Sequence, residues 1–272
     1  MKLKIGFASG EIETKKSVDT YRMDERSIAP RKSVVQVTFP GRGMPLAYYN
    51  DQFDLRVGDI VYVDGKFEGQ RGRVHEVNYN FKIKISDYKR VIAVADTNVK
   101  GEFFIADSHF VTFDPAAIPA SKVVTWFKAP VKEGDVFVSG NDDSSFGLDN
   151  LKEMKLSAAI AERGHDYYLE SRVRYISIDG TKGYAIVEGG EAYEVEFEYD
   201  NGQISKLTCS CFCSYNCKHE FAAMLQLKET LELIEKHYAD MYERSDYFAA
   251  VYRGTLLSVA MDGKEKGSFI LG

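Results

Sequence analysis

No run of apolar residues in this chain approaches the ~18–20 that a membrane helix needs. The longest purely aliphatic stretch is Val91-Ile92-Ala93-Val94-Ala95. Lys2 and Lys4 near the start are not followed by an apolar core, because Ser9-Gly10-Glu11 interrupts the pattern. A secretory signal is therefore not expected, and the reading is a cytoplasmic protein with no membrane partner. The familiar catalytic patterns are missing as well. Gly263-Lys264 continues with Glu265, where a phosphate loop needs Ser or Thr. There is no G-x-S-x-G elbow. His219-Glu220 runs on into Phe221-Ala222-Ala223, so H-E-x-x-H is absent, and no H-x-E precedes a P-C-x-x-C. Asp142-Asp143 sits in a turn-like polar stretch and reads as solvated. His75, His109, His165 and His237 are isolated in sequence and read as ordinary surface or core histidines. These absences predict a protein that is not an enzyme.

Cysteine is scarce, and its placement is the most informative feature. All four cysteines, Cys209, Cys211, Cys213 and Cys217, fall within nine residues, and His219 follows two residues later. Structural disulfides join distant parts of a chain, so a cluster this tight cannot staple a fold of 272 residues. Thiols and an imidazole at this spacing read as a metal site. A C-x-C pair at a strand end can turn both sulfurs to one side, since strand side chains alternate with period two. Cys217 and His219 can converge in the same way at a helix entry. Four protein donors would close the shell and leave no place for a reacting water, which describes one structural zinc.

Charge is uneven. The net charge is −6, but residues 1–90 hold 17 Lys/Arg against 12 Asp/Glu, a net +5. Residues 91–272 hold 18 against 29, a net −11. A basic front on an acidic protein suggests a local anion-binding surface, with solvated strand faces as the alternative.

Patterning divides the chain into an arm over 1–33, a β-rich unit over 34–139 and a second unit over 148–272. Val34–Phe39, Ile60–Val63, Arg73–Val77, Asn80–Ile85, Lys89–Ala95 and Glu102–Ala106 read as short strands between Gly and Pro breaks. Such a series predicts a small barrel or curled sheet. Val131-Lys132-Glu133-Gly134-Asp135-Val136 echoes Leu55-Arg56-Val57-Gly58-Asp59-Ile60, as a shared turn-into-strand grammar. The polar stretch Gly140–Gly147 is the expected boundary. Beyond it, Asn150 and Glu153 suggest a capping box, with Leu151, Met154, Ala158 and Ala161 on one helix face and Gly164 as the stop. A β-meander follows, in which Tyr193, Val195, Phe197 and Tyr199 alternate with Glu194, Glu196 and Glu198. Asn201-Gly202 supplies a hairpin turn. Ile204–Thr208 leads into the cysteines. A long helix then starts near Cys217, with Phe221, Met224, Leu227, Leu231, Ile234 and Tyr238 as its stripe. The fold class is therefore α+β: a mostly-β barrel, then helix, β-meander, zinc knuckle and helix.

The run Cys209-Ser210-Cys211, then Cys217-Lys218-His219 with Ala222-Ala223-Met224-Leu225, resembles the SWIM-type zinc finger. Arg163-Gly164, Tyr167-Tyr168, Val173, Tyr193, Val195 and Ile204 extend the resemblance over about 157–228. It implies Cys209, Cys211, Cys217 and His219 as the zinc ligands, and binding to DNA or protein partners without catalysis. Cys213 stands inside the loop, where a non-ligand is usual. A second register, with Cys211 and Cys213 as the C-x-C pair, therefore remains open. In the front half, Val34–Phe39, Arg42, Pro45-Leu46, Tyr48-Tyr49, Asp54–Val63 and Gly72–Val74 resemble the 3′-DNA-end-binding domain of the primosomal helicase. That implies a single-strand surface. Arg42, Lys66, Arg71 and Arg73, all in or beside Gly-containing turns, would meet phosphate. Tyr48, Tyr49, Tyr62 and Phe67 would either stack bases or pack the β core. Lys206 and Lys218, flanking the cysteines, are the competing surface. Two functions result: a DNA-binding zinc protein, or an adaptor whose zinc unit docks a helicase or another DNA-processing partner.

Overall fold

The computed structural model describes residues 2–6, 30–129, 144–211, 213, 215–262 and 270–271. Its first strand, β1 (Lys2–Gly6), precedes five strands that form a sheet of their own: β2 (Ser33–Thr38), β3 (Leu46–Asn50), β4 (Ile60–Val63), β5 (Gly72–Asn78) and β6 (Val91–Val94). Their order is β3-β2-β5-β4-β6. A bridge between Tyr49 and Arg90 brings the two edges together, so the sheet curls into the expected small barrel. Val35, Val37, Phe39, Tyr48, Leu55, Val61, Val63, Val74 and Val91 fill it. The uninterrupted apolar run of β4 has a simple cause, since both of its faces are covered. Val61 and Val63 point into the barrel, while Ile60 and Tyr62 join Ala93, Ala95 and Ala129 outside it. The Tyr62 hydroxyl donates to the Thr125 carbonyl at 3.0 Å.

The remaining elements build a second sheet. They are β7 (Gly101–Ala106), β8 (His109–Thr112), α1 (Ala120–Val123), β9 (Ser145–Gly147), α2 (Ala158–Leu169), β10 (Val173–Asp179) and β11 (Lys182–Glu188). After them come β12 (Ala192–Asp200), β13 (Gln203–Cys209), α3 (Lys218–Ser245), β14 (Tyr247–Tyr252), α4 (Arg253–Asp262) and β15 (Ile270–Leu271). The sheet has ten strands in the order β15-β1-β7-β8-β14-β10-β11-β12-β13-β9. Every pairing in it is antiparallel. Helices cover both faces. Ile176, Ile178, Phe248 and Ala250 pack with Met224, Leu227 and Ile234 of α3 on one side. Tyr175, Tyr247, Ala249 and Val251 pack with Trp126 and with Leu256 and Val259 of α4 on the other. Burial on both faces explains why Tyr247–Tyr252 lacks the polar alternation of a half-wet strand. No helix among the described residues is long and apolar enough to cross a membrane.

The sheets do not divide where the polar stretch 140–147 suggests. The barrel strands end at Val94, and β7 and β8 pair with β1 and β14 of the large sheet. Of the expected arm, Lys2–Gly6 is a sheet strand and Ser33 opens β2, while residues 7–29 lie outside the described residues. The echo over 131–136 and Asp142-Asp143 lie outside them too. Asn80–Ile85 is not a strand. The Asn78 side chain accepts from the Asn80 backbone N–H at 2.8 Å, turning the chain, and a short 3-10 turn occupies Ile85–Asp87. The helix expected from Asn150 is broken as well. A 3-10 turn over Leu151–Met154 stops at Lys155, which has a φ of 53°, and Ser157 then caps α2. Gly164 is no stop. It is buried inside α2, where a Cβ would stand 2.9 Å from the Lys218 carbonyl and 2.9 Å from the Phe221 ring. The glycine is the point at which α2 and α3 touch.

Candidate metal centre and barrel rim

The meander delivers the cysteines. β13 pairs with β12 as far as Val195 opposite Cys209, so Cys209 is fixed at the strand end. Ser210 continues the grip, its N–H donating to the Glu194 carbonyl and its hydroxyl accepting from the Glu194 N–H. Cys217 is the extended residue that opens α3. The Glu220 carboxylate, one turn into the helix, accepts the Cys217 N–H at 2.6 Å. This reciprocal cap sets the angle at which Cys217 and His219 enter the site.

The three sulfurs of Cys209, Cys211 and Cys217 and one ring nitrogen of His219 lie within 4.8 Å of one another. His219 Nδ1 is 3.7 Å from both the Cys209 and Cys217 sulfurs. A tetrahedral ion with Zn–S near ~2.3 Å and Zn–N near ~2.05 Å would set S···N edges of about 3.6 Å, so the donors stand at coordination distance. Cys217 and His219 are each 4% exposed. Burial first, then the neighbouring Cys217, pushes the Cys211 thiol up to about 12. Contact with Cys209, then burial, raises Cys217 too. Burial, with Lys218 beside it, lowers His219 to about 4 and keeps its lone pair available. Half-buried Cys209 and Cys211 and buried Cys217, facing a neutral imidazole, form a donor set that one metal ion could satisfy by replacing the thiol protons. The His219 ring is held flat against Tyr193, with centroids 4.0 Å apart and planes at 17°, and Tyr167 closes its edge at 5.5 Å. Cys213 is outside this group and exposed, its N–H donating to the Cys211 carbonyl at 2.8 Å. Of the two registers, the geometry gathers the Cys209, Cys211, Cys217 and His219 set.

The four expected phosphate contacts lie at one end of the barrel. β2 and β4 finish there and β3, β5 and β6 begin there, as the pairs Val37–Leu46, Thr38–Arg73, Val61–Gly72 and Val63–Val91 show. Arg42 and Lys66 are exposed, and the Arg42 guanidinium stands 5.4 Å from the Phe67 ring centre. Lys89 belongs with them and was not legible as such. Its side chain lies against the Gly65 turn, which has a φ of +86°, with Cε 3.1 Å from where a Cβ would sit. Arg71 and Arg73, by contrast, both bond the Asp262 carboxylate at the end of α4, at 2.8 and 2.6 Å. Of the two readings of the aromatics, core packing is the one seen. Tyr48, Tyr49 and Tyr62 are 4%, 2% and 0% exposed, and Phe67 stacks on Phe39 at 4.5 Å. On the competing surface, Lys206 pairs with Glu198 at 2.7 Å and the Lys218 ammonium sits 4.4 Å from the Tyr167 ring centre.

The geometry thus establishes a partly buried group of three cysteines and one histidine that could hold one metal ion, and a separate basic rim on the barrel. No protein family, no curated protein and no solved structure matches the chain.

Proposed function

We propose that this protein is a non-enzymatic zinc protein that binds DNA, with the metal as scaffold and the barrel rim as the nucleic-acid surface. The observation that carries the zinc assignment is the convergence of three thiols and an imidazole within 4.8 Å, the donor set zinc prefers in closed structural sites. When bound, zinc supplies no reaction; it ties the end of β13 to the start of α3. The likeness to SWIM-type fingers agrees with a structural role. For DNA, the support is the exposed rim of Arg42, Lys66 and Lys89, built on Gly-containing turns that let a ligand approach the backbone. With Tyr48, Tyr49 and Tyr62 buried, the rim offers phosphate contacts, so the reading is sequence-independent binding of backbone.

The test is Arg42→Ala, Lys66→Ala and Lys89→Ala together, measured by anisotropy on a short single-stranded oligonucleotide. The expected result is weaker binding and a log–log salt slope shallower by about 0.7 per lost contact. Unchanged binding overturns the rim.

An adaptor reading has one observation in its favour. A cleft of about 1060 Å³ lies beside the cysteine loop, lined by Met154, Leu156, Leu207 and Tyr215, and Tyr215 is 83% exposed. If the unmodified chain binds no oligonucleotide at low salt, docking of a protein partner at this cleft becomes the better account.

A further inference from the structure

At the same end of the barrel as Arg42 and Lys66, two guanidiniums close on one carboxylate. Arg71 Nη2 meets Asp262 Oδ2 at 2.8 Å, and Arg73 Nη2 meets Oδ1 at 2.6 Å. Arg73 Nη1 donates to the Asp262 carbonyl at 3.0 Å and to the Gly58 carbonyl at 3.2 Å. The oxyanion thus has one guanidinium on each oxygen, an arrangement that matches a phosphate diester's two free oxygens equally well. The loop path is short. Lys66 lies in the first of two overlapping turns and Arg71 directly follows the second, the turns being closed by Glu68 N–H to the Gly65 carbonyl and Gln70 N–H to the Phe67 carbonyl. Gly72 then locks the base of the loop. A Cβ there would stand 2.4 Å from Val37 and 2.8 Å from Phe39. The arginines therefore spring from a rigid strand start, and the carboxylate comes from the last residue of α4.

This group is also open to solvent. The side chains of Arg71, Arg73 and Asp262 are 32%, 40% and 28% exposed. Partial contact with water screens the attraction and lets an incoming anion reach both guanidiniums. A polyanion already held by Arg42 and Lys66 brings further phosphates to the same rim at high local concentration.

We propose that Arg71 and Arg73 form a phosphate site whose resident occupant is the Asp262 carboxylate, and that bound nucleic acid displaces it. The inference rests on the rim being the nucleic-acid surface. In the free protein the carboxylate keeps the site from taking stray anions. On binding, a backbone phosphate takes both guanidiniums and the end of α4 comes free. Weak binders that reach only Arg42 and Lys66 leave the clasp closed, so the clasp favours strands long enough to span both.

The experiment measures affinity for a short single-stranded oligonucleotide with the unmodified chain, with Asp262→Asn, with Arg71→Ala and Arg73→Ala together, and with all three changes. Asp262→Asn should tighten binding roughly tenfold, the factor by which a competitor present nine times in ten lowers apparent affinity. That gain should vanish once both arginines are alanine. An equal gain without the arginines reports only the change in net charge and overturns the proposal, as does no gain. Hydrogen exchange on the unmodified chain gives a second readout that no variant can spoil. Saturating oligonucleotide should speed exchange in the last turn of α4, and unchanged exchange overturns the displacement. If neither the unmodified chain nor Asp262→Asn binds at low salt, the rim reading fails and this inference with it. If the unmodified chain binds through Arg42 and Lys66 while Asp262→Asn changes nothing, only this inference fails.

Discussion

The barrel and the large sheet use polar chemistry in opposite ways. The barrel's interior is an apolar fill of valines with Phe39, Tyr48 and Leu55, and no charged side chain belongs to that fill among the described residues. The large sheet carries a thiol, an imidazole and a carboxylate (Cys217, His219 and Glu220) into burial at the point where β13 hands the chain to α3. Apolar packing, the Tyr49–Arg90 bridge and the Arg90–Asp51 ion pair close the barrel. Among the described residues of the cysteine loop, Cys213 and Tyr215 are exposed, and the donor residues stand at its two ends. The barrel should therefore be indifferent to metal, and the cysteine loop should depend on it. Zinc binding in small finger modules is worth about 10–16 kcal/mol and is folding free energy for the segment that holds it.

The largest expected effect breaks that dependence. Cys217→Ser removes one donor and should release the metal, unfolding the segment from about Leu207 to the first turn of α3 while the barrel stays folded. Native mass spectrometry reads the metal, and hydrogen exchange reads the two regions separately. Cys213→Ser should keep one zinc per chain, because the Cys213 side chain stands outside the donor group. Metal lost from the Cys213 variant but retained in a Cys209 variant would show that the other register is used.

A smaller effect tests how firmly α2 holds the site. In an exposed helix, Gly→Ala gains about 1 kcal/mol. At Gly164 the sign should reverse. The new Cβ meets the Lys218 carbonyl, backbone that cannot step aside, at 2.9 Å. Lys218 lies between the two ligands that open α3, so the strain falls on the metal site. Gly164→Ala should destabilise by about 1–3 kcal/mol, as overpacking does, and should speed zinc loss to a chelator. A variant that melts higher than the parent would show that α2 and α3 can slide apart.

Acid should separate the two regions again. His109 in β8 is 1% exposed, its Nε2–H donating to the Val173 carbonyl at 2.8 Å and its Nδ1 accepting from the Ser108 hydroxyl at 3.0 Å. Burial lowers it from 6.5 to about 4; the Val173 hydrogen bond and Asp107 oppose the shift, and Arg174 and Arg253 assist it. Because the folded state resists the proton, this stability is fully present above pH 6.5 and is lost as pH falls toward 4. The full loss is about 3 kcal/mol at roughly 1.4 kcal/mol per pH unit. Urea midpoints between pH 7 and 4 should fall, and His109→Asn should flatten that slope. An unflattened slope assigns the acid sensitivity to other groups.

Legibility followed sequence distance. The ligands fall between 209 and 219, so one strand end and one helix start suffice to unite them, and both can be read from alternation and spacing. The meander from 172 to 208 was legible for the same reason. What could not be read depends on partners far along the chain. Alternation marks Glu102–Ala106 as a strand but not which sheet receives it. Gly164 looks like a helix stop until α3 is seen against it. Asp262 is 191 and 189 positions from the arginines it binds, and no local pattern announces that pairing. Tyr48, Tyr49 and Tyr62 are ambiguous in sequence because a barrel wall and a base-stacking face call for the same side chains.

The smallest expected effect asks whether the cysteine-loop surface also touches nucleic acid. Lys206 and Lys218 flank its cysteines, and both already have partners. Lys206 reaches across from β13 to Glu198 of β12 at 2.7 Å, and Lys218 lies over the Tyr167 ring with Arg172 also on that ring at 4.8 Å. An exposed cation–π contact is worth about 0.5–1 kcal/mol and an exposed ion pair similarly little, so these are weak ties. Around them stand Glu170 and Glu188, which hold Arg172 and Arg174 and cancel the local positive charge. Phosphate approaching here meets a balanced surface, whereas at the rim it meets Arg42, Lys66 and Lys89. Lys206→Ala with Lys218→Ala should therefore shift oligonucleotide affinity less than about twofold and leave the salt slope within one contact's worth, ~0.7, of the parent. The same pair abolishing binding while the rim variants leave it intact would reverse the comparison, making the metal-ordered loop the DNA surface and the barrel its support.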